Sequence, residues 1–191
     1  KRKKTLRLTM EKFDDLVFNA QVWVEIKESV MSNANRLDQA RYKYKFEEAS
    51  FSEVIDALES YQNVDGGFGH GLEADFHLPD STPMATSIGL RVLNKLPDSD
   101  QKNNMIQNAF RYLKGALNKD RMGWFAVNAR VNKFPHAPWW DYDLKSEQTI
   151  IDNHWGNPSA EILGYLWKYQ NLIQEWDITA LVERALQYFE R

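Results

Sequence analysis

The densest grouping of reactive side chains is His70-Gly71-Leu72-Glu73-Ala74-Asp75-Phe76-His77, which puts two imidazoles and two carboxylates within eight residues. His70, Asp75 and His77 are the donor types that zinc, manganese or iron takes, and a fourth position would stay open for water in hydrolysis or Lewis-acid chemistry. The spacing matches no established metal signature, so the sequence assigns no metal and leaves any cofactor unknown. Glu73 and Asp75 remain as candidate catalytic carboxylates, with His70 and His77 as candidate ligand contacts. The plainer role for both acids is to tie the loop down by accepting from turn amides.

A second grouping is His136, Trp139, Trp140, Asp141 and Asp143, in a stretch without regular period. Indole faces stack on the apolar faces of sugar rings while acids bond hydroxyls, and the same indoles stabilise a carbocation through their quadrupole. We therefore expect His136, Trp139, Trp140 and Asp141 to contact ligand. Successive side chains of an extended segment point opposite ways, so only one of the two tryptophans is expected inside. Glu161 stands in the first turn of the helix that Asn157-Pro158 opens. The helix dipole favours its ionised form, which makes it the third candidate catalytic residue beside Glu73 and Asp75. Carboxylates about 5–10 Å apart can hydrolyse a glycoside.

Composition removes several classes. The 191 residues contain no cysteine, which excludes disulfides, thiolate zinc sites, iron-sulfur clusters and cysteine nucleophiles. A formal charge of −3 gives no reason to expect a nucleic-acid partner. No stretch approaches the roughly 20 apolar residues of a membrane span, and the first thirty lack a signal-peptide core, so the chain reads as soluble and cytoplasmic. Gly-Xaa-Ser-Xaa-Gly and phosphate-loop motifs are absent. The aromatic share is high, with 7 Trp, 8 Tyr and 10 Phe, enough to line either a core or a concave site.

The elements that must position these groups read as helices. Residues 1–9 form a basic tail, and 10–191 form one domain. Phe13, Leu16, Val17, Ala20, Trp23, Val24 and Val30 predict a helix over about 10–32, and Leu37, Ala40 and Tyr44 a shorter one. Ser50 and Glu53 form a capping box ahead of Val54, Ile55, Leu58 and Tyr61. Thr82-Pro83 caps a helix carrying Ala85, Ile88, Gly89, Val92, Leu93 and Leu96. Ile106, Ala109, Phe110, Leu113 and Leu117 mark a fifth helix; Ile162, Leu163, Leu166 and Trp167 a sixth; Leu181, Val182, Leu186 and Phe189 a seventh that Asp177 or Thr179 caps. Residues 118–157 show no period and leave room for short strands. A weak repeat emerges: helix, Gly66-Gly67-Phe68, loop, Thr82-Pro83, helix, then helix, Gly123-Trp124, loop, Asn157-Pro158, helix. In its corner Gly66 and Gly67 can take positive φ, Gln62 can bond the carbonyls of its helix end, and Phe68 can pin the turn.

Tyr61-Gln62-Asn63-Val64-Asp65-Gly66-Gly67-Phe68-Gly69, followed by Ser81-Thr82-Pro83-Met84-Ala85-Thr86, resembles the repeat of protein prenyltransferase β-subunits and of squalene and terpenoid cyclases. With Arg36-Leu37-Asp38-Gln39-Ala40-Arg41, Pro135-His136-Ala137-Pro138-Trp139-Trp140 and Asn157-Pro158-Ser159-Ala160-Glu161-Ile162, the span 37–167 is similar to uncharacterised bacterial prenyltransferase-like proteins. The resemblance implies an all-α fold, an α/α toroid built from helical hairpins. A closed toroid uses about twelve helices, so seven imply an incomplete ring whose open side favours a homodimer. The thiolate zinc site of the prenyltransferases and the Asp-Xaa-Asp-Asp acid of the cyclases have no counterpart here. Three functions follow as expectations: a small or isoprenoid-type ligand bound in an aromatic-lined cleft between the 64–82 and 132–157 loops; glycan hydrolysis by paired carboxylates; or a non-catalytic scaffold that binds protein.

Overall fold

The computed structural model describes residues 20–173 and 176–190. The expected tail and the first half of the 10–32 helix, with Phe13, Leu16 and Val17, lie outside the described residues. Every regular element among those described is helical, so the chain is all-α. The seven α-helices are α1 (Ala20–Asn33), α2 (Arg36–Phe46), α3 (Phe51–Glu59), α4 (Pro83–Leu93), α5 (Asp100–Ala116), α6 (Gly156–Lys168) and α7 (Thr179–Phe189). The 118–157 stretch forms no strand among the described residues. Its backbone groups are met instead by three short 3-10 turns and by isolated bridges.

The chain divides into two compact units, one up to Ser50 and one from Phe51. In the first, Asn35 caps α2 by accepting from the Asp38 amide at 2.9 Å, and Leu37 and Ala40 turn inward. Gln39 closes the turn by donating to the carbonyls of Met31 and Ala34. Lys27 pairs with Glu47 at 2.8 Å, and Trp23, Tyr42 and Phe46 form an aromatic cluster that leaves Phe46 56% exposed.

In the second unit α4 packs on both α5 and α6, α3 rests on α5, and α7 on α6. Thr82 accepts from the Ala85 amide at 3.0 Å with proline at the first helical position, as its sequence predicts. Ser99 caps α5 in the same way. The stripes of α3, α4 and α5 are buried, and Val54, Leu58, Leu90, Leu93, Ile106 and Leu113 form their core. Lys102 is also buried: its ammonium donates to the Leu96 carbonyl at 2.8 Å and pairs with Asp98 at 2.9 Å, closing the α4–α5 turn.

The last two helices depart from their expected stripes. The face of α6 centred on Ile162 and Leu166 is buried; Trp167, about 100° round the axis from Leu166, falls off its edge and is 58% exposed. In α7 the inward residues are Leu181 and Ala185, whereas Leu186 and Phe189 face outward. The α6 helix begins with Asn157 extended, at φ −110° and ψ 115°, so its regular turns start at Pro158. Asp177 accepts from the Thr179 amide at 2.8 Å where α7 starts.

Both corners of the repeat are built by one chemistry. Phe68 is fully buried, and its amide donates to the Thr86 hydroxyl at 3.0 Å. Trp124 is fully buried, and its amide donates to the Ser159 hydroxyl at 2.9 Å. Each aromatic thus bonds a hydroxyl on the helix that follows its loop. Gly66 has the expected positive φ of 94°, whereas Gly67 is needed for space, because a Cβ there would lie 2.7 Å from the Tyr112 ring. Gln62 reaches further than its own helix end, donating to Gly66 at 2.9 Å and to Met105 on α5 at 3.0 Å.

Candidate functional site

The 61–82 loop is held by its own polar side chains. Asn63 donates to the Pro79 carbonyl at 3.1 Å and to Ser81 at 3.0 Å, and Asp65 accepts from Ser81 at 2.7 Å and from the Gly67 amide at 2.9 Å. His70, at φ 55°, is part of this tie through Nε2, which lies 2.8 Å from Asn63 Oδ1. His77 is exposed, with its ring over Gly71. Among the described residues no three His, Asp or Glu side chains come close enough to hold a metal ion.

This loop meets the 132–157 stretch along 75–77 and 135–137. The His77 amide donates to Pro135 at 2.9 Å and the Ala137 amide to Asp75 at 2.8 Å, and a bridge joins Phe76 to His136. Phe76 is fully buried, and Trp140 meets it edge-on at 5.2 Å. One of the two tryptophans is inside, Trp140 at 3% exposed against 45% for Trp139, but on a short 3-10 turn over Pro138–Trp140 and not by the alternation of an extended segment. Both ring nitrogens of His136 face acceptors, the Phe134 carbonyl at 2.6 Å and Asp141 at 2.8 Å. Two acceptors require two donors, so these bonds favour imidazolium and hold His136 above its ordinary pKa.

The acids converge on a residue that the motif search passed over. Arg91, on α4, clamps Glu161 of α6 with two bonds, Nε to Oε1 at 2.8 Å and a terminal nitrogen to Oε2 at 2.6 Å. Tyr165, one turn along α6, donates its hydroxyl to Glu161 Oε1 at 2.9 Å. Burial alone would raise the Glu161 pKa, but the bonds from Arg91 and Tyr165 overcome it and hold the carboxyl below its usual range. Loss of its proton to that arrangement is resisted at Tyr165, where burial and Glu161 push the phenol up to about 12.

Glu73 moves the other way. Burial pushes it up, and the neighbouring Asp75 carboxylate adds to the rise; the Asp75 amide, 3.4 Å from Oε1, and the Arg91 charge only partly offset it. Arg91 lowers both Glu73 and Glu161, but burial outweighs it at Glu73, so the two carboxyls end displaced in opposite directions. Asp75 itself is exposed. Of the three predicted acids Glu161 is thus bonded to Arg91, Glu73 feels its charge, and Asp75 neighbours Glu73.

Two further residues escaped the sequence reading. Arg91 interrupts the apolar run Ile88–Leu93, which was the available signal. Asp152 is 1% exposed, and its oxygens accept from the Ala126 amide at 2.7 Å and from the Thr149 amide and hydroxyl at 2.9 and 2.6 Å. It organises the 124–152 loops and does no visible chemistry. Elsewhere in this unit, a surface groove of about 390 Å³ runs between Phe110, Arg111 and Trp176, and another of about 510 Å³ between Trp167, Trp176 and Val182. Neither is lined by a predicted site residue.

Comparison of the chain with family models, with curated proteins and with solved structures finds no match. Among the described residues no helix is long and apolar enough to cross a membrane.

Proposed function

We propose that Glu73, Asp75 and Arg91 form an acid–base site for a neutral, polyhydroxylated ligand of the glycan class, carried on an α/α-toroid-like array of helical hairpins. The observation that supports this reading is that burial raises Glu73 against the pull of Arg91 while bonds from Arg91 and Tyr165 lower Glu161, since acid and base roles are separated by environments that push pKa values apart. Glu73, held protonated to higher pH, donates its proton to the glycosidic oxygen as the C–O bond breaks. Asp75 takes a proton from the attacking water, whose oxygen completes the new hydroxyl, and exchange with solvent restores both groups. Glu161 acts through Arg91, fixing the guanidinium beside the acid, and is a positioning residue. Trp139, exposed two residues beyond the Ala137 amide that bonds Asp75, offers a stacking face.

Charge favours this ligand over a prenyl diphosphate. Arg91 is neutralised by Glu161, and Glu73 and Asp75 are acidic, which disfavours a diphosphate beside them. The buried Phe76, Trp124 and Trp140 are likewise spent on the core. Reducing-end release from a panel of neutral oligosaccharides tests the reading. Glu73→Gln is expected to lower turnover by about 10²–10⁴-fold with binding retained. Equal turnover by the variant, or turnover of a prenyl diphosphate alone, defeats it.

A second reading, a protein-binding scaffold or homodimer, draws on Trp167, Leu186 and Phe189, which are 58%, 58% and 69% exposed on α6 and α7. It predicts concentration-dependent association that Trp167→Ser weakens.

A further inference from the structure

A second cationic cluster lies at the start of α6, on side chains other than those that bond Glu161. Arg121, in the turn after α5, donates to the His154 carbonyl at 3.3 Å and lies over the Phe125 ring at 4.9 Å. Arg184, on α7, lies over the ring of the next residue, Trp155, at 5.4 Å. Trp155 is buried, anchored by its indole N–H to the Met122 carbonyl at 3.0 Å, and packs on Tyr188 at 5.4 Å. Two guanidinium groups are thus brought to adjoining residues on a rigid aromatic base.

No ion pair involves Arg121 or Arg184 among the described residues. Arg121 Nε is buried with no hydrogen-bond acceptor, an uncompensated donor on a charged group. Asp152 attracts Arg121 from a distance, but both of its oxygens are taken by Ala126 and Thr149. Burial pulls the Arg121 pKa down; the Asp152 charge offsets part of the fall and the Arg184 charge adds to it. Two arginines held at His154 and Trp155 without a carboxylate partner among the described residues suit a tetrahedral oxyanion, whose several oxygens accept from guanidinium N–H groups.

We infer that Arg121 and Arg184 form a binding site for an oxyanion of the phosphate class, seated over Trp155 at the start of α6. The site is separate from Glu73 and Arg91, and a phosphate-bearing ligand would be excluded from those acids by charge while being accepted here.

The test is thermal unfolding of the full chain in inorganic phosphate against sodium chloride of equal ionic strength, with tryptophan fluorescence followed at 25 °C. Wild type is expected to show a saturable, phosphate-specific rise in Tm of roughly 2–4 °C and a saturable change in emission. Arg184→Gln, at a half-exposed helix position that leaves the core intact, is expected to weaken phosphate at least tenfold with an unchanged helical spectrum. Arg121→Lys keeps the charge but loses the fork and is expected to weaken it as well. Phosphate that stabilises no more than chloride overturns the proposal. An equal phosphate response in wild type and Arg184→Gln also overturns it, because the ion then sits elsewhere.

Discussion

Adding a single methyl group at Gly89 probes how rigidly the first corner is built. An alanine Cβ there would lie 2.7 Å from Cγ and Cδ2 of Phe68 and 2.8 Å from Cε2. Carbon atoms rest at roughly 3.5–4.0 Å, so about 1 Å of overlap must be relieved. Phe68 has little room to yield, being fully buried and tied to Thr86 through its amide. Overpacking of this kind costs about 1–3 kcal/mol, and replacing glycine in a helix returns about 1 kcal/mol. Gly89→Ala is therefore expected to destabilise by up to about 2 kcal/mol, with Tm lower by roughly 2–4 °C for each kcal/mol in a chain of this size. Gly164→Ala is the control: a Cβ on that exposed face of α6 meets nothing within 4 Å, so only the helix term acts and stability rises by about 0.5–1 kcal/mol. Urea and thermal unfolding of the two variants give the comparison. A Gly89→Ala protein as stable as Gly164→Ala would refute the account of the corner.

Two predictions concern the loops. Asp152→Ala strands three donors inside the protein and is expected to destabilise by roughly 3–5 kcal/mol, read as loss of the folded tryptophan signal at lower urea. His136 has a folded pKa above its ordinary value of 6.5, so its contribution is complete below about pH 6.5 and is lost as pH climbs through the raised value. The Tm difference between wild type and His136→Gln should accordingly shrink as pH rises from 6 to 9, and a difference that stays flat would remove imidazolium from the account.

What could be read in the residues was whatever depends on neighbours in sequence. The stripes of α3 to α5, the Thr82 cap and the glycine-aromatic corners are local patterns, and a 3.6-residue period or an i to i+3 bond suffices to fix them. Thr86 and Ser159, which receive the corner amides, stand at different offsets from Pro83 and Pro158, so aligning the two repeats does not reveal them. The acid site was half legible: Glu73, Asp75 and Glu161 stood out by type, but the Arg91 clamp on Glu161 spans 70 positions and depends on α4 packing against α6. Apolar spacing placed Trp167, Leu186 and Phe189 inside because it registers a stripe but not how wide a face the neighbours cover. The short 3-10 turns of 118–157 were hidden because side chains such as Asp152 and Asn132 hold them, with no period to display.

The central claim is that Glu73, Asp75 and Arg91 receive a neutral glycan-type ligand beside Trp139. Its most direct test is a titration of the full chain with neutral oligosaccharides, followed by NMR at the Trp139 indole N–H and the Glu73 carboxyl carbon. The account predicts saturable shifts at both positions with at least one oligosaccharide, and their loss in Arg91→Met. Silence at both positions across the panel, with shifts on adding a prenyl diphosphate instead, would contradict it.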